Sequence, residues 1–302
     1  MSSYLARLTE RIVPGMLLIK PERREELCAY FLDALDQHGG FRGRRGSGDL
    51  YYSAFALRGL FLLGRLDDKK LLANVIDFLE AQQRREDLSP TDLLSWTFCA
   101  FLIQSVQGKK LLPEQITFLL HRWERFRSSD GCFATSENTA FSSTYTTFLA
   151  AVFYELLGES ERSQLIPVEP ILARRRSDGG FVELPPLQNS GTNPTAAAVA
   201  LLTILEVPLP DKQKTVEFLC RCEHPTGGFR AHARIPIPDL LSSFSALTTL
   251  YDLDAVDMAN RSTLLNYVAS LRSSDGGFFG MMLDQQSDVE YTFYGMALEA
   301  ML

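Results

Sequence analysis

An all-α fold of six helical hairpins, an α-α barrel with six inner and six outer helices, is what this sequence predicts for its 302 residues. Three observations carry that reading: a recurring turn, an apolar helix-length segment after each turn, and an amphipathic charged segment before the next. The turn is a glycine pair, or its near equivalent, before phenylalanine: Gly39-Gly40-Phe41, Gly131-Cys132-Phe133, Gly179-Gly180-Phe181, Gly227-Gly228-Phe229 and Gly276-Gly277-Phe278. From the second copy onward the steps are 48, 48 and 49 residues, and the first gap of 92 is close to twice that. One copy has therefore lost its turn, near Arg84 to Pro90, where no glycine stands. A sustained period means that no unit buries its own apolar face, so six repeats of about 48 residues are expected to share one core as a single domain over 1–302.

Each apolar segment opens on a residue able to cap a helix: Asp49, Asp92, Ser143, Asn193, Asp239 and Asp288. Their side-chain oxygens can accept from free N–H groups of the first turn, which makes capping the ordinary role of these residues. Seven positions on, the residues are Ala56, Cys99, Ala150, Ala200, Ala246 and Gly295, all small. Four positions on stand Ser53, Trp96, Thr147, Ala197, Ser243 and Thr292, with Trp96 the one large exception. Residues at such spacing share a face, and a small-residue column lets helices approach closely. Apolar residues also occupy the next face, so these six helices are expected to form an inner layer.

The intervening segments, roughly 21–36, 68–83, 113–127, 161–175, 211–223 and 258–272, carry charge on one side and are expected to form the outer layer. The last inner helix reaches Leu302 with no polar capping repeat, which favours a closed ring over an open solenoid. The remaining inner-helix face then points into the ring. It carries Tyr51, Tyr52, Phe55, Phe98, Tyr145, Tyr291 and Tyr294, so an aromatic-walled cavity for an apolar small molecule is expected.

Composition narrows the function. A net charge of −7 excludes a broadly basic nucleic-acid surface. No run approaches a membrane span, and the charged start Met1 to Arg11 has no apolar signal core, so a cytoplasmic, non-transmembrane protein is expected. Five scattered cysteines suit reduced thiols. Cys220-Arg221-Cys222-Glu223-His224 offers only closely spaced ligands at an outer-helix end and reads as a chance cluster, the four histidines have no metalloprotease spacing, and no Walker or dinucleotide loop is present.

The segment Pro238-Asp239-Leu240-Leu241-Ser242-Ser243 after Gly227-Gly228-Phe229, and the helix opening Asp288-Val289-Glu290-Tyr291-Thr292-Phe293, resemble the β subunits of protein prenyltransferases. With the turns Ser177 to Phe181 and Ser274 to Phe278, the likeness covers essentially the whole chain, and it extends more loosely to squalene and terpenoid cyclases. The resemblance implies an α/α toroid holding an isoprenoid in a central aromatic cavity, and a helical α-type subunit as possible partner. It also implies where a catalytic zinc would sit: on Asp239, on a Cys two residues later and on a His three residues after Asp288. Those positions hold Leu241 and Tyr291. Leucine cannot ligate and phenol is an uncommon zinc ligand, so no metal and no cofactor are expected.

Two basic loops, with Arg44 and Arg45 before the first inner helix and His232 and Arg234 before the fifth, are candidates for a diphosphate, or else solvated rim charge. The family's usual His-Gly-Gly-Tyr is replaced by Gly191-Thr192-Asn193-Pro194. Three functions follow: an isoprenoid-diphosphate-binding prenyltransferase-like protein without zinc, a non-catalytic lipid-binding or interaction scaffold, and a small terpenoid cyclase. For catalysis the carboxylates Asp239, Asp288 and Glu290 are the candidates, the last two faintly matching a protonating acid motif.

Overall fold

A computed structural model describes residues 3–302. Among these residues the secondary structure is helical, with isolated β-bridges at the turns and no strands. α1 (Tyr4–Met16), which the repeat pattern does not foresee, precedes the first repeat. The repeats then run α2 (Pro21–Asp33) and α3 (Leu50–Leu62), α4 (Lys69–Gln83) and α5 (Pro90–Gln107), α6 (Pro113–Glu124) and α7 (Thr144–Leu157). The fourth repeat has two single turns, α8 (Ser160–Ser163) and α9 (Glu169–Leu172), before α10 (Thr192–Ile204). α11 (Lys212–Cys222) and α12 (Leu240–Asp252), then α13 (Arg261–Ser270) and α14 (Val289–Met301), complete the series. No helix among the described residues is long and apolar enough to cross a membrane.

The chain divides into two compact units. One joins Arg11–Arg122 to Leu271–Met301; the other holds Trp123–Ser270, the N-terminal residues up to Glu10, and Leu302. In the first, α3 lies between α5 and α14 and is backed by α2. In the second, α10 lies between α7 and α12, with α11 behind it. Each unit therefore places its apolar helices side by side and its amphipathic helices against their backs, as the burial pattern of each helix requires.

The turn explains the repeat. Its first glycine takes a left-handed φ, +91° at Gly179, where a Cβ would stand 2.3 Å from the Lys214 carbonyl oxygen. Each turn phenylalanine is fully buried, and its N–H donates to a hydroxyl 12 or 14 residues later: Ser53 (2.9 Å), Thr147 (3.1 Å), Thr195 (2.8 Å), Ser243 (2.9 Å) and Thr292 (3.0 Å). The column four residues after the cap is thus an acceptor column, not only a small-residue one. Four of the turns also carry an aspartate, Asp36, Asp130, Asp178 or Asp275, that accepts from a turn N–H and from the residue just before the following cap.

Two caps differ from expectation. α5 begins at Ser89, in a capping box with Asp92 and with Pro90 in the first turn, so Asp92 sits three residues inside. α10 is capped by Gly191, not Asn193, which puts Thr195 rather than Ala197 in the acceptor column. The second repeat, lacking its turn, satisfies the end of α4 from elsewhere: buried Arg122 donates to the carbonyls of Gln83 and Arg85, and Trp96 Nε1 donates to the Leu79 carbonyl at 2.9 Å. The expected outer helix over 161–175 is broken between α8 and α9, where Pro167 interrupts the pattern.

Candidate functional site

Asp49 and Asp288 set the register of the α3–α14 pair, accepting from the N–H groups of Tyr52 (2.8 Å) and Tyr291 (2.9 Å). Counting from these caps, Tyr51, Phe55 and Arg58 fall on one face of α3 and Tyr291 and Tyr294 on one face of α14. The rings meet edge to face: Tyr51 with Phe55 at 5.1 Å between centroids, Phe55 with Tyr294 at 5.3 Å, Tyr51 with Tyr52 at 5.4 Å, and Tyr291 with Tyr294 at 6.5 Å. Tyr51, Tyr52, Phe98 and Tyr291 are half-buried, while Phe55 and Tyr294 are buried.

Two members of this cluster were not singled out from the sequence. Phe293 is buried against Phe55, with ring centroids 5.5 Å apart. The half-buried Arg58 guanidinium stands over the rings of Phe293 (4.2 Å), Phe98 (5.0 Å) and Phe55 (5.6 Å). Its signal was available: it is the one charged residue in α3. Near the other end of this face, Tyr51 donates its hydroxyl proton to Glu290 Oε1 at 2.7 Å.

Arg44 is held by carboxylates. Its Nε donates to Asp288 Oδ2 at 2.9 Å, a terminal nitrogen donates to Asp284 Oδ2 at 2.8 Å, and the guanidinium lies 5.6 Å from the Tyr291 ring centroid. Asp284 also accepts from the Gly280 N–H at 3.0 Å. Burial opposes the charge on Arg44, but the two carboxylates outweigh it and raise its pKa. Asp288 is raised above the ordinary carboxyl range by burial, with the Tyr291 N–H and Arg44 pulling the other way. Arg45 is exposed in the same loop. A cavity of about 280 Å³ beside this loop is lined by Tyr30, Arg42, Ser273, Gln285 and Ser287 and is too polar for a hydrocarbon chain.

The other unit holds the remaining candidates. Asp239 caps α12, accepting from the Ser242 N–H at 2.7 Å and its hydroxyl at 2.8 Å, and burial raises its pKa. His232 Nδ1 accepts from the Arg234 N–H at 3.2 Å, which leaves this loop a turn with Arg234 exposed. Tyr145 is 43% exposed, its ring 6.3 Å from Phe148 and its N–H directed at Glu183. The sequence candidates thus fall into two groups: Tyr51, Tyr52, Phe55, Phe98, Tyr291, Tyr294, Asp288, Glu290 and Arg44 with Arg45 in one unit, and Tyr145, Asp239, His232 and Arg234 in the other.

Among the described residues no group of three or more His, Cys, Asp or Glu side chains stands together to hold a metal ion. Asp239 accepts from Ser242 through both carboxylate oxygens, and Leu241 beside it has no donor atom. In the Cys220 to His224 segment, burial raises both thiols, and Glu223 accepts from the Asn260 N–H.

Comparison with known proteins places these features in context. The family model described as the prenyltransferase alpha-alpha toroid domain matches residues 19–211 and 195–302. Among solved structures, Candida albicans protein geranylgeranyltransferase-I, complexed with GGPP, is similar at TM-score 0.70 and 14% identity, over 91% of this chain and 90% of that one. The type II terpene cyclase MstE from Scytonema is similar at TM-score 0.63 and 11% identity, over 96% and 98%. A glycosidase solved with glucose is similar at TM-score 0.60 and 14% identity, over 92% and 95%. No curated protein matches the sequence. Likeness at these identities concerns the fold, which hosts several chemistries.

Proposed function

This chain belongs to the prenyltransferase alpha-alpha toroid family, and from that premise we propose that it binds an isoprenoid along the aromatic face of α3, α5 and α14, without a catalytic zinc. The observation that carries the reading is the ring cluster of Tyr51, Phe55, Phe98, Tyr291 and Tyr294, half-buried in part and continuous in contact from α3 to α14. Such a surface offers a prenyl chain apolar contact, at about 0.8 kcal/mol per buried methylene before ordering costs. Arg44 and Arg45 in one unit, and His232 and Arg234 in the other, are the candidate diphosphate contacts. Arg44 would have to exchange Asp284 and Asp288 for the phosphate.

Without zinc, an acceptor thiol of ordinary pKa would be mostly protonated near neutral pH, so cysteine prenylation by the usual zinc-thiolate route is not part of the proposal. Nor is cyclisation initiated by Asp288, whose Oδ2 accepts from Arg44 Nε at 2.9 Å and whose Oδ1 accepts from the Tyr291 N–H at 2.9 Å. A single domain, a cytoplasmic location and a helical α-type partner complete the reading. A lipid-binding scaffold is the second reading, favoured by the same ring cluster if binding occurs without turnover.

The test is a chain-length series. Affinity for geraniol, farnesol and geranylgeraniol is expected to rise with length, and Phe55→Ala or Tyr294→Ala to weaken the longer chains most. Affinity independent of length, or unchanged in both variants, would defeat the reading. Elemental analysis after mild chelation is expected to find no stoichiometric zinc; one zinc per chain, lost in Asp239→Ala, would overturn that part alone.

A further inference from the structure

The unit that carries the aromatic face also holds the polar cavity of about 280 Å³, lined by the loop after α2 and by the connection from α13 to α14. Charges of both signs border it: Arg42 and Arg44 from the first loop, Asp275 from the second, and Asp33 at the end of α2. Each already has a partner. Arg44 donates to Asp284 at 2.8 Å and to Asp288 at 2.9 Å, and Arg42 donates to the Asp33 carbonyl at 3.0 Å and lies 3.7 Å from its carboxylate. Asp275 accepts from the Gly277 N–H at 3.0 Å and from the Ser287 hydroxyl at 2.7 Å. An ion entering the cavity would have to break one of these arrangements, and the carboxylates of Asp33, Asp275, Asp284 and Asp288 outnumber Arg42 and Arg44, which disfavours a free oxyanion there. An uncharged ligand meets neither obstacle.

What remains is hydrogen-bonding capacity with no charge left to neutralise. Nε and one terminal nitrogen of Arg42 have no partner among the described residues, and neither do the exposed amides of Gln285 and Gln286, both of which line the cavity. An amide edge donates and accepts side by side, a guanidinium edge donates twice, and a carboxylate oxygen has a second lone pair. Neighbouring hydroxyls on a ring match that pattern, because each of them both donates and accepts. Hydrogen bonds to ionised groups are the stronger ones, so the paired charges favour such a ligand. Tyr30 donates to the Ser287 hydroxyl at 2.8 Å and Ser287 in turn to Asp275, which sets this wall before a ligand arrives. Phe279, also lining the cavity, adds apolar surface for the C–H side of a ring.

We propose that this cavity is a second ligand site, separate from the aromatic face, and that it takes one neutral polyhydroxylated ring, a pyranose or a cyclitol. Its volume, just under the roughly 300–1,000 Å³ of ordinary small-molecule sites, suits one ring and not a chain of them. The inference stands whether or not an isoprenoid binds elsewhere.

Titration of the full chain with the methyl glycosides of glucose, galactose and mannose and with myo-inositol, followed by ligand-observed NMR, tests this. At least one ring is expected to bind with a Kd of about 1 mM or tighter, alike at low and high salt, and neither inorganic phosphate nor methylammonium should displace it. Preference for a glycoside assigns a pyranose, and preference for inositol a cyclitol. The double variant Gln285→Ala, Gln286→Ala should weaken binding about fivefold or more, and so should Arg42→Met. These side chains are exposed, so both variants should keep the wild-type melting temperature. No binding by any of the rings at about 10 mM, displacement by phosphate, or an affinity unchanged in both variants overturns the inference.

Discussion

Thr195 stands for a set of hydroxyls that decide whether a turn closes. Fully buried, it accepts from the Phe181 N–H at 2.8 Å and donates to the Gly191 carbonyl at 2.6 Å. Thr195→Val keeps the shape and strands a buried donor, so a loss of about 1–3 kcal/mol is expected in denaturant unfolding. An unchanged midpoint would mean that the N–H finds another acceptor. Asp239 permits a sharper experiment. Burial raises its folded pKa above the unfolded value near 4, so its carboxyl favours the folded state most below that pH, and the benefit is lost as pH rises through the folded pKa. Asn caps helices as well as Asp, so Asp239→Asn should gain stability relative to the wild type over that interval and hold the gain at neutral pH. A difference that does not vary with pH would contradict the assignment.

At the scale of elements, one substitution in the turn motif is coupled to one broken helix. A Cβ on the second glycine would meet a ring of the following amphipathic helix, Phe78 at Gly40, Phe218 at Gly180 and Tyr267 at Gly228, or, at Gly277, Tyr30 of α2. In the third repeat that position is Cys132, and the following segment is the interrupted α8–α9 pair, which presents the Pro167 carbonyl to Cys132 Sγ at 3.7 Å instead of a ring. Gly180→Cys should therefore cost more than Cys132→Gly, by about 1–3 kcal/mol, as overpacking does in a filled core. Comparable melting shifts would break the link. The α8–α9 segment should also exchange its amide hydrogens faster than α4 or α11, since short turns have few internal bonds to open.

These elements indicate what could be read in advance. Period and patterning foretell the helices because five of the six repeats re-use one turn, and the caps Asp49, Ser143, Asp239 and Asp288 fall where the polar residue precedes the apolar run. Ser89 is hard to tell from Asp92 in the sequence, because its capping-box partner has the same chemistry three residues on. Asn193 outweighs Gly191 in the sequence because a glycine cap leaves no side-chain signal. The aromatic members of the candidate face were legible as a stripe. The commitment of Arg44 to Asp284 and Asp288 was not, because it joins residues 240 and more positions apart.

For the molecule as a whole, the notable relation is between the ends of the chain. α14 lies against α3 and α2, Arg23 donates to the Gly276 carbonyl at 3.0 Å, and a Cβ on Gly15 would stand 1.6 Å from the Ala300 carbonyl oxygen. Alanine ordinarily improves a helix interior by about 1 kcal/mol over glycine. Gly15→Ala should nevertheless lower the melting temperature, because the close approach is to backbone that cannot rotate away. A stabilised variant would mean that the two ends do not meet this closely.

The same discontinuity has a consequence for synthesis. Residues 11–122 emerge from the ribosome long before their partners at 271–301. At usual elongation rates of about 5–20 residues per second, the intervening stretch takes roughly 7 to 30 s. Throughout that wait α3 has no α14 to cover its side, and Phe55, Arg58 and Tyr51 face solvent or a chaperone. The Trp123–Ser270 segment, whose turns close over about 14 residues, can meanwhile fold as it is made, so the part of the molecule begun first is among the last to be finished.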